Sequence, residues 1–171
     1  TDCLLQHGAS LVYGIDVGYG QTAWKLRENS KVILKERTNI RFLKPIDLYQ
    51  ECDSWADLAV ADMSFISLKL VMPVIKALLK TDKAELIVLV KPQFEVGKER
   101  VGKGGIIRDP KDHIDVLTSI IDFSINQGWF VRGLIPSSIK GSGGNQEYLL
   151  WLANSGAHQF YDLEKIVKQN L

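Results

Sequence analysis

The sequence predicts an α/β protein built on a mostly parallel sheet, and three observations carry that reading. Short apolar runs bounded by turn residues alternate along the chain with segments whose apolar residues recur at helical spacing. One run, Leu86-Ile87-Val88-Leu89-Val90, is apolar without a break, as suits a central strand covered on both faces. The last two runs are joined by PSSIKGSGGNQ, which has no helical period, so they are expected to form an antiparallel hairpin that closes the sheet.

Taken in order, the chain opens on TDCLLQHGA, which reads as the back half of an amphipathic helix stopped at Gly8. Strands are expected at Leu11 to Asp16, Val32 to Glu36, Leu58 to Asp62, Leu86 to Lys91, Trp129 to Ile135 and Glu147 to Ala153. A helix follows Ser67 with Val71, Val74, Ile75 and Leu78 on one face. Within it Pro73 lacks an N–H donor and must sit in the first turn or at a kink. The clearest helix runs from Pro110 to about Gln127: Asp109 caps it, Pro110 takes the first position and Gly128 stops it. Ile114, Leu117, Ile121 and Ile125 form its expected buried face.

Composition bounds the function. The 171 residues suffice for one hydrophobic core, and 46% apolar with 24% charged is ordinary globular usage. Lys plus Arg is 21 and Asp plus Glu is 20, a net charge of +1, which excludes a polybasic tail and an acidic disordered chain. Any nucleic-acid contact must therefore use a local patch. No uninterrupted apolar stretch approaches the roughly 20 residues that span a bilayer. Cys3 and Cys52 have neither CxxC nor Cys/His spacing, so no disulfide framework and no metal site is expected. No signal-peptide pattern opens the chain, and a soluble protein of the reducing cytoplasm fits.

Four places invite a chemical reading. Gly18-Tyr19-Gly20-Gln21-Thr22-Ala23 satisfies the dinucleotide fingerprint G-x-G-x-x-[GA] after an expected strand, and Glu36 ends the next one. Against that reading, Asp16 and Val17 stand between the strand and the first glycine, where a carboxylate would face the pyrophosphate. The alternative is that Asp16 is itself the working residue, accepting hydrogen bonds from two ribose hydroxyls. Asp62, Lys91 and Glu147 each stand where the chain turns out of a strand, and open α/β sheets bind ligands outside the carboxyl ends of their parallel strands. Each alone is an ordinary strand-end charge, but together they place an acid, an amine and an acid in reach of one crevice. The segment from Glu95 to Lys111 is glycine-rich and basic, with Lys98, Arg100 and Lys103, and suits RNA phosphates as well as it suits a solvated mobile loop. His7, His113 and His158 are isolated, and Trp24, Trp55, Trp129 and Trp151 fall within elements as packing residues.

Taken together, DVGYGQTAWKLR, ERTNIR, DLAVADMSFISLKLVMP, LVKPQFEVGKERVGKGGIIRD and SGGNQEYLLWL resemble the methyltransferase domain of the hemolysin A (TlyA) family, which is similar to FtsJ-type ribosomal RNA 2′-O-methyltransferases. The resemblance runs from about Thr1 to Leu152. It implies a Rossmann-like fold dependent on S-adenosylmethionine, rRNA or ribosomal subunits as partner, and cytidine 2′-hydroxyls of 16S and 23S rRNA as acceptors. The last three members of the family's Lys-Asp-Lys-Glu catalytic set map onto Asp62, Lys91 and Glu147. Asp16 matches the acid that holds the cofactor ribose. Val17 beside it, Asn39 at the adenine end and Asp62 complete the cofactor-binding set. On this resemblance residues 1–171 are an N-terminally truncated FtsJ-like domain, with the glycine-rich loop, the first catalytic Lys and a small RNA-binding domain expected upstream. Two other readings stay open on the residues alone: a catalytically idle RNA-binding or hemolysin-type protein, and an NAD-dependent oxidoreductase.

Overall fold

The computed structural model describes residues 1–51 and 53–171, apart from the Ser142 side chain, so the expectation of an unpaired Cys52 lies outside the described residues. The chain divides into two compact units, Thr1–Ser54 and Trp55–Leu171.

In the first unit, helix α1 (Asp2–Gln6) ends as the sequence suggests: the Ala9 N–H donates to the Leu4 carbonyl at 3.0 Å, around Gly8. Strands β1 (Val12–Ile15) and β2 (Val32–Lys35) pair in parallel, Val12 opposite Val32 through Ile15 opposite Lys35. The crossover between them holds only a single turn of helix, α2 (Trp24–Arg27). Beyond β2 the chain makes a 3-10 turn at Ile40–Phe42 and a short helix α3 (Pro45–Leu48). The Tyr13 and Tyr49 rings meet edge to face with centroids 5.2 Å apart. Trp24 is 70% exposed, so the packing role expected for it does not hold.

The second unit runs β3 (Leu58–Ala61), α4 (Leu68–Ala77), β4 (Glu85–Val90), α5 (Pro92–Glu95), α6 (Pro110–Asn126), β5 (Phe130–Pro136), β6 (Tyr148–Ala153) and α7 (Leu163–Lys168). The sheet order is β3-β4-β6-β5. β3 pairs with β4 in parallel and β6 is antiparallel to both β4 and β5, so three strands share a direction and only β6 opposes them. The expected hairpin therefore forms, but its second strand lies inside the sheet and does not close it. Leu150 and Leu152 are buried on one face of β6, while Leu149 and Trp151 occupy the other. A strand with no polar face suits two neighbours better than an edge.

Helix α6 has the predicted cap, with the Lys111 N–H donating to Asp109 Oδ1 at 2.9 Å, and the predicted stop, with Gly128 at φ +75°. Its buried face is rotated from the expected one: it comprises His113, Val116, Leu117, Ile120 and Ser124. Counting apolar residues missed this because His113 and Ser124 are polar yet hydrogen-bonded inside, whereas Ile121 and Ile125 line a shallow cleft beside Phe160 and Leu163. Pro73 sits in the second turn of α4, not its first, and the helix continues through it to Ala77. The missing donor releases only the carbonyl four residues earlier.

Candidate functional site

Because β3 and β4 are parallel, the residues that follow them emerge at the same end of the sheet. Asp62 follows β3 and Lys91 follows β4, and their side chains meet: Lys91 Nζ lies 2.6 Å from Asp62 Oδ1 and donates to Ser64 Oγ at 3.1 Å. Lys91 is extended (φ −112°, ψ 100°), as the residue before Pro92 should be, and its side chain is 13% exposed against 69% for Asp62. Phe94 comes next, its ring centroid 6.0 Å from Lys91 Nζ and 5.0 Å from that of Phe65. Phe65 is 91% exposed and holds φ +61°, a left-handed conformation that costs a bulky residue on the order of 1 kcal/mol.

Glu147 reaches the same sheet end from the opposite direction. Tyr148 opposes Val90 in the antiparallel ladder, so Glu147, one residue before Tyr148, comes level with Lys91, one residue after Val90. The Glu147 side chain is nearly buried and accepts from Gln93 Nε2 at 3.0 Å. A Cβ at position 141 would overlap its carboxylate, so any larger residue there would push the Glu147 side chain from this position. The turn that carries Ser64 and Phe65 is tied down by Glu95, which accepts from Ser67 Oγ at 2.6 Å and from the Leu68 N–H at 2.7 Å. Burial pushes the Glu95 carboxyl above its ordinary range, opposed by those two hydrogen bonds.

The basic segment after α5 is built into the unit. Val96 and Ile107 are buried, and 3-10 turns form at Lys98–Arg100 and Lys103–Gly105. Arg100 donates through Nε to Asp112 Oδ1 at 2.6 Å and through Nη2 to Asp115 Oδ2 at 2.6 Å, and these hydrogen bonds raise its pKa. Its charge is thus taken up by α6. Lys98 and Lys103 are exposed and form no ion pair among the described residues.

In the first unit, Asp16 Oδ1 accepts from the Gly18 N–H at 2.7 Å, while Oδ2 has no partner among the described residues. Val17 is 69% exposed beside it. Asn39 caps the 3-10 turn, accepting from the Arg41 N–H at 3.0 Å through Oδ1, and its amide nitrogen makes no hydrogen bond among the described residues. Glu36, the acid of the apparent dinucleotide fingerprint, is fully engaged. It accepts from Arg27 Nη1 at 3.0 Å, Arg27 Nη2 at 2.5 Å and the Gly20 N–H at 2.8 Å, and its carboxyl is held below the usual range chiefly by Arg27. The amide a pyrophosphate would need is occupied, and a single turn of helix offers no N-terminus of consequence.

The chain as a whole is similar to known proteins. Residues 1–154 match the FtsJ-like methyltransferase family. The chain belongs to that family. It is 43% identical over 152 residues, 89% of the chain, to the 16S/23S rRNA (cytidine-2′-O)-methyltransferase TlyA of Mycobacterium tuberculosis, of which the match spans 55%. The chain thus covers about half the length of the curated relatives it matches. A hemolysin candidate from Streptococcus thermophilus superposes with a TM-score of 0.90 at 38% identity, covering 99% of this chain and 61% of that one. A SAM-dependent methyltransferase from Methanosarcina mazei, at TM-score 0.59 and 14% identity, covers 92% of this chain and 87% of its own, and shares the fold. Among the described residues no helix is long and apolar enough to cross a membrane.

Sequence reasoning did not single out Ser64, Phe65 or Gln93. Ser64 and Phe65 could have been found as the turn directly after Asp62; nothing in the sequence marks Gln93 as the Glu147 partner.

Proposed function

We propose that this FtsJ-like domain is the catalytic core of an S-adenosylmethionine-dependent rRNA methyltransferase that modifies the ribose 2′-hydroxyl of cytidines in 16S and 23S rRNA. The contact that carries the reading is Lys91 on Asp62, with Glu147 level with Lys91 at the same sheet end. S-adenosylmethionine supplies, when bound, an electrophilic methyl group on a sulfonium. The first unit's residues suit a nucleoside: the unpartnered Asp16 oxygen fits a ribose diol, exposed Val17 an apolar base face, and the Asn39 amide nitrogen a ring acceptor.

On the acceptor side, Lys91 spends donors on Asp62 and Ser64 and keeps a third for the 2′-oxygen. An amine paired this closely acts as a charged donor that orients the hydroxyl and offsets the negative charge that develops on its oxygen as its proton leaves. Exposed Asp62 is the adjacent carboxylate that can relay the departing proton to water. Glu147, fixed by Gln93, accepts from a ribose hydroxyl or steers the amine. Phe65 offers the target base an exposed ring to stack on. Lys98 and Lys103 contact RNA phosphates, while Arg100, grouped with them on sequence grounds, braces the loop against α6. Such a substrate places the protein in the cytoplasm with ribosomal RNA or subunits as partner.

Lys91→Met and Lys91→Arg test the reading together. Both should leave rRNA binding intact and Lys91→Met should lose about 10²–10⁴-fold in kcat. Arg keeps a charged donor but never becomes a base, so partial activity in Lys91→Arg supports the orienting role. Wild-type turnover in Lys91→Met would remove Lys91 from the reaction.

A further inference from the structure

Four consecutive residues at the head of β6, Asn145-Gln146-Glu147-Tyr148, are polar or polar-tipped and buried, and three of them serve neighbours of Glu147. Asn145 Oδ1 accepts from the Ile107 N–H at 2.9 Å, and its Nδ2 donates to the Gly105 carbonyl at 2.9 Å. The Ile107 carbonyl accepts from His113 Nε2 at 3.1 Å, which fixes the ring as the Nε2–H tautomer and leaves Nδ1 to accept from the Tyr148 hydroxyl at 3.0 Å. Both main-chain groups of Ile107 are therefore held by side chains that trace back to residues 145 and 148, on either side of Glu147. Gln146 Nε2 donates to the carbonyls of Ser137 and Glu147 at 3.0 and 2.8 Å, which fixes the backbone between them. The partner of this network is the basic loop itself: Ile107 lies between Lys103 and the start of α6, and Arg100 ties the loop's other half to the same helix.

We propose that Asn145 and His113, the latter through Tyr148, are positioning residues for the methyl transfer: they lock the basic loop to the segment that carries Glu147 into β6. The inference rests on the function proposed above. Apolar residues at these positions would fill the space, but hydrogen bonds also fix direction and register. RNA gripped by Lys98 and Lys103 then presents its ribose at a set height to Glu147 and Lys91. A loose latch leaves the phosphate contacts in place and loses the orientation, for which a displacement of about 1 Å can cost on the order of 100-fold in rate.

Asn145→Ala and Tyr148→Phe, made in the full chain and assayed on ribosomal subunits, test this. Expected are a fall in kcat of about 10–100-fold, rRNA affinity and its salt slope within about threefold of wild type, and faster hydrogen exchange at the Ile107 amide in Asn145→Ala. A purely structural role predicts instead wild-type kcat per folded molecule well below the melting temperature. That result, or affinity falling in step with kcat, overturns the proposal. Tyr148→Phe keeps the ring in its buried place, so it decides the matter should Asn145→Ala not fold. A wild-type chain that methylates no ribosomal RNA refutes the underlying function instead.

Discussion

Glu95 offers the sharpest separation of charge from hydrogen bonding in the site's scaffold. Its carboxylate accepts from Ser67 Oγ at 2.6 Å and from the Leu68 N–H at 2.7 Å, so it both caps α4 and pins the turn bearing Ser64 and Phe65. Two hydrogen bonds to a charged acceptor are worth about 1.5–3 kcal/mol each, and desolvation offsets part of that, because burial is the largest influence on Glu95 and raises its pKa. Glu95→Ala should therefore destabilise by about 2–3 kcal/mol, or about 5–10 °C in Tm for a chain of this size. Glu95→Gln keeps an acceptor for Leu68 and lets Ser67 become the acceptor of the new NH₂, so it should cost less than about 1 kcal/mol. The pH dependence has a definite sign. The folded carboxyl holds its proton more tightly than the unfolded one, whose ordinary value is 4.5, so stability falls as pH rises through the interval between the two values and is flat above it. Urea unfolding across pH 4 to 8 should show that slope in wild type and lose it in Glu95→Gln. Equal destabilisation by Ala and Gln, or a stability that rises across the interval in wild type but not in Glu95→Gln, would refute the account.

Replacing Lys98 and Lys103 by Ala should lower the salt slope of rRNA binding by about 1.4–1.8, whereas Arg100→Ala should leave the slope unchanged and loosen the loop from α6. Equal slopes for the two variants would place RNA elsewhere. Phe65→Gly removes left-handed strain but adds unfolded-state entropy, so stability should stay within about 1 kcal/mol while methyl transfer falls with the lost ring. Retained turnover in Phe65→Gly would exclude the stacking role. Gly141→Ala should lower kcat by displacing the Glu147 carboxylate, with a crystal structure of the variant showing the displaced side chain.

The strand ends were legible because each rests on a local signal. An apolar run that stops at Asp62 or Lys91 needs no tertiary knowledge, and the parallel pairing of β3 with β4 then brings the two side chains together. Glu147 was legible as a strand-end acid, but its level with Lys91 depends on β6 lying between β4 and β5, which no local pattern states. The ion pairs of Arg100 were not legible for the same reason: in sequence it is one of several basic loop residues, and only the fold brings Asp112 and Asp115 of α6 against it. His113 read as an isolated histidine, since its partners are a carbonyl on one loop and a hydroxyl on a distant strand.

The apparent dinucleotide fingerprint shows how a motif can be present in letters and absent in physics. A pyrophosphate site needs unpaired amides at the head of a helix long enough to present a dipole, and an acid free to take a ribose hydroxyl. Here the Gly20 amide is spent on Glu36, Glu36 is spent on Arg27, and the helix that follows is one turn. Asp16, two residues before the first glycine, keeps an oxygen with no partner among the described residues. The spare acceptor thus lies on the residue the fingerprint ignores. Breaking the Arg27–Glu36 pair by Arg27→Ala should free Glu36 without creating NADH affinity, because the helix dipole would still be missing. Isothermal titration that finds micromolar NADH binding in Arg27→Ala would show that the ion pair alone had been masking a dinucleotide site.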